Sequence, residues 1–522
     1  MRASLLILTS GCWLLAGSLV AAEAQIPPPP GNETRKPAEL RATRAAILGQ
    51  ERTRLQALAD ALRAQGKPAE AAKAGPDPAD EPAADGSSRF VLLPEVVAAS
   101  PKTTPSARDL IRLEAAKALF ELAQQAARPP EFYAFADDCL RRVIVRQADH
   151  AEARRLLGFL PYLGGWATPF AIGMLNKKWV LDPTYGWVAG DWVPHLQRGE
   201  LPTRGTPTRW VPAADADAAR RDWATRWEIS TEHFRISTNV PLNQAISFGR
   251  KLEDLYQLFF AIMADAIDPD RLPLAQRFRR PDLKPGTSSK NVFQVCYFAT
   301  RDEYADYLAP FQGNAGRVNL GTYVPKKDSP SFGKVSYFFN DVNGQLDVES
   351  TLYHEASHQI LFESAGPDDY SRNNGNFWVF EGLGTYFETL QHEPDGNLRI
   401  GGRVGPRIAQ AQKRLLADGD FLPIGDLVAY SKPQFYGEQG GGNIYRNYAE
   451  AMALAVFLMQ AGDEGYREPF LEYVHDAYKG RFRGASGKPL QERLGVPYPQ
   501  LDREFLDYLG RGIAPEKAVK QP

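Results

Sequence analysis

Residues 347–363 read Asp-Val-Glu-Ser-Thr-Leu-Tyr-His-Glu-Ala-Ser-His-Gln-Ile-Leu-Phe-Glu, and residues 378–388 read Trp-Val-Phe-Glu-Gly-Leu-Gly-Thr-Tyr-Phe-Glu. The first stretch predicts a helix. From Glu349 to Phe362 it holds no Gly or Pro, and Leu352, Tyr353, Ala356, Ile360 and Leu361 recur mostly at helical spacing. Asp347 or Ser350 can cap its start. On such a helix His354 and His358 stand one turn apart on one face, so both rings can reach a single ion. Glu355 projects about 100° around the axis from His354, an offset that suits a base acting on a metal-bound water. His-Glu-x-x-His on an apolar helix is a metal-hydrolase pattern, and a chance match is rare in a chain with seven histidines.

Two imidazoles alone make a weak site, because catalytic zinc takes three protein ligands and keeps one position open. A third histidine in the metzincin pattern would require Gly at 361 and His at 364; the chain has Leu361 and Ser364. Glu363, nine residues past His354, falls on the opposite side of the helix. The next apolar segment offers Glu381 and Glu388, which share a helix face but lie about 10 Å apart along the axis, so only one can ligate. Gly382 and Gly384 would let two helices approach closely beside Glu381, which favours that residue. Thr385, one turn on, is then a candidate to orient a ligand by hydrogen bonding. The expected cofactor is one Zn2+ on His354, His358 and Glu381, with Glu355 as general base.

The rest of the chain bounds this reading. Its 522 residues exceed one typical core, and two or three domains are expected. Charge is nearly balanced, 61 basic against 63 acidic residues, with no basic stripe, which argues against nucleic acid as the main partner. Arg2, the apolar stretch Leu5 to Ala22 and the small-x-small site Ala22-Glu23-Ala24 read as a signal peptide over residues 1–24. That implies an exported protein: periplasmic, envelope-associated or secreted. Acylation at Cys12 is the alternative, although Thr9-Ser10-Gly11-Cys12 fits a lipobox imperfectly. No later segment has 18 uninterrupted apolar residues, so no transmembrane segment is expected in the mature chain. Cys139 and Cys296 can form one disulfide or remain as two buried thiols.

Composition divides the remainder into three parts. Residues 25–103 read as a low-complexity spacer, with prolines at 27–30, an Ala/Pro/Asp/Glu-rich run at 68–88 and a solvated charged helix between them. Residues 104–218 begin with helices from Ala107 to Phe159 whose turn and Asp149-His150 start resemble a tetratricopeptide unit; His150 reads as a capping or packing residue. Trp166, Trp179, Trp187 and Trp192 follow, with strands at 179–181 and 186–188, as a small β core rather than a carbohydrate-binding patch. Residues 202–217 read as a linker. Residues 219–515 hold paired strands at 227–229 and 233–238, a helix over 245–264 and strands at 292–298, 322–324 and 334–339. An edge strand among these could hold an extended peptide by backbone pairing. Helices at 408–417 and 447–460, a Gly-rich loop at 437–442 and a closing helical segment at 490–509 complete the chain. The predicted fold class is α+β.

His354-Glu355-x-x-His358 together with Glu381 in Trp-x-x-Glu-Gly-x-x-x-Tyr-Phe-Glu resembles the gluzincins of the peptidase-MA-like clan. More narrowly, the chain resembles a group of exported bacterial domains of unknown function. That likeness extends to Gly-Trp-Val at 186–188, Trp-Glu-Ile-Ser-Thr-Glu-His-Phe-Arg at 227–235 and Tyr-Ala-Glu-Ala at 448–451, and covers roughly residues 107–512. The resemblance implies a thermolysin-like catalytic domain, zinc on His354, His358 and Glu381, and Glu355 as base. It further implies a downstream tyrosine that stabilises the oxyanion: Tyr448 by position, with Tyr445 in reserve. One departure is Thr385, where some gluzincins place an Asp. The expected activity is zinc-dependent hydrolysis of a peptide or protein substrate. The alternatives are an amidase acting on cell-wall peptides and a catalytically silent zinc-binding scaffold that meets an envelope protein through its helical region.

Overall fold

The computed structural model describes residues 37–77, 83–99, 104–205, 208–267, 273–280, 282, 292–313, 317–326, 328–365, 375–403, 405–479, 481–484 and 487–511. The predicted signal peptide, Cys12 and the proline run at 27–30 lie outside these residues. At the centre is a five-stranded mixed sheet. From one edge to the other its strands are Gly321–Val324, Val335–Phe339, Phe293–Phe298, Phe234–Thr238 and Trp227–Ser230. The inner three run parallel and both edge strands are antiparallel to their neighbours.

Alternation along the strands builds two cores. Phe338, Val295 and Ile236 face the long helix Leu242–Ile267 and the motif helix Val348–Ala365. Tyr337, Phe339 and Phe298 face the opposite layer, with Tyr304 and Leu308 of the helix Arg301–Gln312. The motif helix is capped by Asp347, whose Oδ1 accepts from Ser350 N at 3.1 Å. It packs on the glutamate helix Trp378–Phe387, every residue of which is buried. A helix that is apolar nearly all round belongs in the centre of a core, and here the third wall is the helix Ile444–Glu464. The mixture of helix and sheet is that of an α+β protein.

The helices Ala107–Ala126 and Tyr133–Arg146 pack Leu119, Leu122 and Ala123 against Leu140 and Val143. His150 caps the short helix Ala151–Leu156, its Nδ1 accepting from Ala153 N at 3.2 Å. The tryptophan-bearing strands Trp179–Asp182 and Gly186–Ala189 form an antiparallel hairpin. Cys139 and Cys296 are both free thiols, and burial pushes each up to about 12. Among the described residues no helix is long and apolar enough to cross a membrane.

Three expectations are corrected. The helix Pro37–Ala64 is no solvated spacer: Leu40, Leu55 and Ala59 are buried in it. Its charges, which read as a solvent face, turn inward instead; Glu51 pairs with Arg146 at 2.7 Å and Arg41 with Glu468 at 3.0 Å. The segment after it is also structural, since Ser88–Phe90 adds a strand to Leu398–Ile400. The linker expected at 202–217 is a hairpin of Glu200–Pro202 with Trp210–Pro212, followed by a helix Ala213–Ala218. The described residues from Pro37 onward belong to one compact unit. Leu55→Ala should therefore destabilise the protein by about 2–5 kcal/mol, the range for emptying a core leucine, as measured by urea unfolding. A spacer helix would show almost no change.

Candidate metal centre

The motif helix places His354 and His358 on one face with their Nε2 atoms 3.1 Å apart. Glu381 enters from the glutamate helix, its Oε2 lying 3.4 Å from His354 Nε2 and 3.8 Å from His358 Nε2. Ligands bound at about 2.0–2.1 Å around a tetrahedral ion stand about 3.3 Å from one another, so the three separations bracket that value. Among the described residues this is the group of His, Cys, Asp and Glu side chains close enough to hold a metal ion.

Both glycines beside Glu381 have identifiable neighbours, and the neighbours differ. A Cβ on Gly384 would lie 2.8 Å from His354 Cε1 and 3.0 Å from both ring nitrogens. The His354 ring therefore rests directly on the backbone of the glutamate helix. A Cβ on Gly382 would meet Ala451 O at 2.9 Å, so that glycine admits the helix Ile444–Glu464 on the other side.

Orientation of the first histidine comes from Glu388, whose Oε1 bonds His354 Nδ1 at 2.8 Å. This fixes Nε2 as the metal-facing nitrogen. Glu388 is itself ion-paired with Arg407. The ligand-orienting contact expected of Thr385 is not made: its hydroxyl donates to Glu381 O at 2.8 Å and Gly382 O at 3.1 Å, within its own helix. Of the two glutamates, Glu381 groups with the two histidines and Glu388 holds the His354 imidazole from its far edge.

Glu355 lies beside the cluster, and its Oε2 accepts from Tyr323 N of the edge strand at 2.8 Å. Tyr436, which the sequence reading missed, donates its hydroxyl to Glu381 Oε1 at 2.7 Å. It follows the short helix Lys432–Phe435 in a turn with no periodic pattern. Asn447 holds that turn, its Nδ2 donating to Phe435 O at 2.8 Å and Gly441 O at 3.0 Å. Tyr448 is half-buried beside Tyr436, with ring centroids 6.4 Å apart, and its hydroxyl interacts with Tyr436 and Glu381. Tyr445, the reserve candidate, is 68% exposed. The helix turns it to solvent.

Charge in the cluster is strongly coupled. Burial alone would depress His354, but its bonds to Glu381 and Glu388 push it up to about 10. Burial likewise favours protonated Glu381, yet the two imidazoles hold it well below the usual carboxylate range. Burial raises Glu355, against the opposing pull of His354 and His358. The two carboxylates thus favour a proton on His354, with which a metal ion would compete.

Residues 348–477 match a family described as "Protein of unknown function (DUF1570)". The matched segment runs from the start of the motif helix to the helix Arg467–Tyr478 and contains His354, Glu355, His358, Glu381, Glu388, Tyr436 and Tyr448. It supports placing this part of the chain in a family of domains of unknown function. No curated protein matches the chain.

Two substitutions probe the geometry directly. Glu388→Gln should weaken divalent-metal binding about 10–100-fold, the usual effect of losing a partner that orients a ligand, measured by competition with a chromogenic chelator. Gly384→Ala should cost at least as much in the same assay, because the added methyl occupies the place of the His354 ring.

Proposed function

We propose that the chain is an exported zinc-dependent peptidase of the gluzincin type, its catalytic half built like thermolysin and preceded by a tetratricopeptide-like helical region. The observation that carries this reading is the set of three nitrogen and oxygen ligand atoms at tetrahedral separations, with a carboxylate base alongside. Two histidines and a glutamate are the donor set of a catalytic rather than a closed structural zinc site. Export rests on the N-terminal sequence alone.

His354, His358 and Glu381 would hold the ion, and bound zinc supplies a water that ionises near neutrality and a Lewis acid for the scissile carbonyl. Glu355 takes the proton of the attacking water and delivers it to the leaving amine. The Tyr323 N–H fixes one of its oxygens and leaves Oε1 for that transfer. Tyr448 donates its hydroxyl to the developing oxyanion, while Tyr436 steadies the Glu381 carboxylate.

The substrate backbone would lie along the outer strand of the sheet. Gly321–Val324 is the outer strand of the sheet, paired on one side with Val335–Phe339. Tyr323 N–H is directed to Glu355 rather than to the neighbouring strand, so the edge that no described strand pairs with borders the base. An extended peptide pairing with that edge would bring a carbonyl to the metal position.

The test is metal content of the purified mature chain by mass spectrometry, followed by a peptide-library cleavage assay. One zinc per wild-type chain is expected, with loss or marked weakening in Glu381→Ala. Folded wild type that takes up no supplied zinc would overturn the proposal. Glu355→Gln should keep the zinc and lose turnover. Tyr448→Phe should keep the zinc and lower kcat by about 10²-fold or more, the effect typical of removing one oxyanion donor. Zinc binding with no cleavage of any peptide would favour the silent scaffold instead.

A further inference from the structure

Away from the metal centre, a cavity of about 1560 Å³ opens between the Trp179–Ala189 hairpin, the turn at Glu232–His233 and the long helix Leu242–Ile267. No side chain of the metal centre lines it. Its lining is of two kinds. Trp179 and Leu181, 36% and 43% exposed, form an apolar rim. Farther in, Glu95, Glu232 and Glu253 converge from three separate elements around His233 and Trp187.

The charges in this lining do not cancel. Six carboxylates, Glu95, Asp137, Glu228, Glu232, Glu253 and Asp254, outnumber the three arginines; Arg141 binds Asp137 and Val91 O, while Arg250 and Arg277 bond to carbonyl oxygens and keep their charge. Asp254 is paired with His392 at 2.9 Å, and Glu253 with His233 Nδ1 at 2.7 Å. Glu95 and Glu232 are left with lesser partners. Glu95 accepts the Trp187 Nε1 proton at 2.5 Å, and Glu232 has His233 Nε2 at 3.9 Å. Among the described residues neither pairs with a lysine or arginine. Burial raises both carboxyls, Glu232 to about 7, against the opposing pull of His233 on both and of Arg250 on Glu95. These groups do not converge on one ion as His354, His358 and Glu381 do, so a bare metal is not the complement. An aromatic wall, two undercompensated carboxyls and an apolar rim together fit a cation carried on a hydrocarbon stem.

We propose that this cavity binds an organic cation on an aliphatic stem, a primary ammonium or guanidinium group seated between Glu95 and Glu232 against the Trp187 ring, with its stem along Trp179 and Leu181. Two sources carry that chemistry, the lysine or arginine side chain of a peptide and a free polyamine. The site is independent of the hydrolytic reading and stands whether or not the metal centre turns over.

Isothermal titration of the purified mature chain with acetyl-trilysine amide, spermidine and the neutral acetyl-trinorleucine amide tests it. At least one cationic probe should bind saturably at one site per chain, with the norleucine peptide at least tenfold weaker. Glu95→Gln and Glu232→Gln should each weaken binding at least tenfold, and Glu381→Ala should leave it unchanged. Tighter binding of the peptide would identify a side-chain site and tighter binding of spermidine a polyamine site; either supports the proposal. Absence of binding by both cations, equal binding of the norleucine peptide, or full affinity in a Glu95→Gln/Glu232→Gln double variant would overturn it. Should a glutamine variant fail to fold, tryptophan fluorescence carries the test. The bound cation should quench wild type and leave Trp187→Phe markedly less affected; equal quenching of the two would count against the site.

Discussion

The imidazole of His354 is held at both nitrogens by carboxylates seven residues apart on one buried helix, and the rest of the metal centre depends on that grip. Glu381 reaches the Nε2 side and Glu388 the Nδ1 side. The ring spans much of the gap that two helical turns place between them. Such an arrangement needs the ring to lie almost on the helix backbone, which is why residue 384 has no side chain. His358, Glu355 and the tyrosines are positioned relative to a ring that cannot rotate away.

Holding this cluster together is electrostatically demanding. The glutamate helix is buried along its whole length, with Trp378, Phe380 and Phe387 packed into the aromatic core. Isolated buried charges would be prohibitive there. The solution is reciprocal: each carboxylate faces an imidazole, Tyr436 adds a neutral donor to Glu381, and Arg407 returns Glu388 to the surface. A divalent ion would replace the shared protons with a stronger version of the same attraction. The nitrogen and oxygen atoms of the cluster lie near the separations that a tetrahedral ion would require.

How much of this was legible in the sequence follows from range. The motif helix, the glutamate helix and the flanking strands could be read because each carries its own period within ten or so residues. Spacing showed that only one of Glu381 and Glu388 could ligate, and the glycines at 382 and 384 favoured Glu381, but the role of Glu388 was not legible. A seven-residue offset says that two groups share a face and nothing about a third ring placed between them. Thr385 was misread because a threonine within a helix can satisfy its hydroxyl on the preceding turn, and here it does. Tyr436 left no signal, since its position is fixed by Asn447 reaching back to a glycine-rich turn. The N-terminal helix misled for a related reason: Arg41 and Glu51 look like solvent-facing charges until their partners, 427 and 95 residues away, are seen.

The bond from Tyr323 N–H to Glu355 joins the two halves of the chemistry. A general base whose carboxylate were free to swing could serve water at several positions. Here one oxygen of Glu355 is tied to the backbone of the strand Gly321–Val324, which fixes that carboxylate relative to the sheet. The sheet behind that strand is anchored on both faces, by the long helix and motif helix on one side and the Tyr304 layer on the other. The motif helix, in turn, carries His354 and His358. His354, Glu355 and His358 are thus tied to the sheet through the motif helix and the Tyr323 bond, on regular elements rather than on a loop.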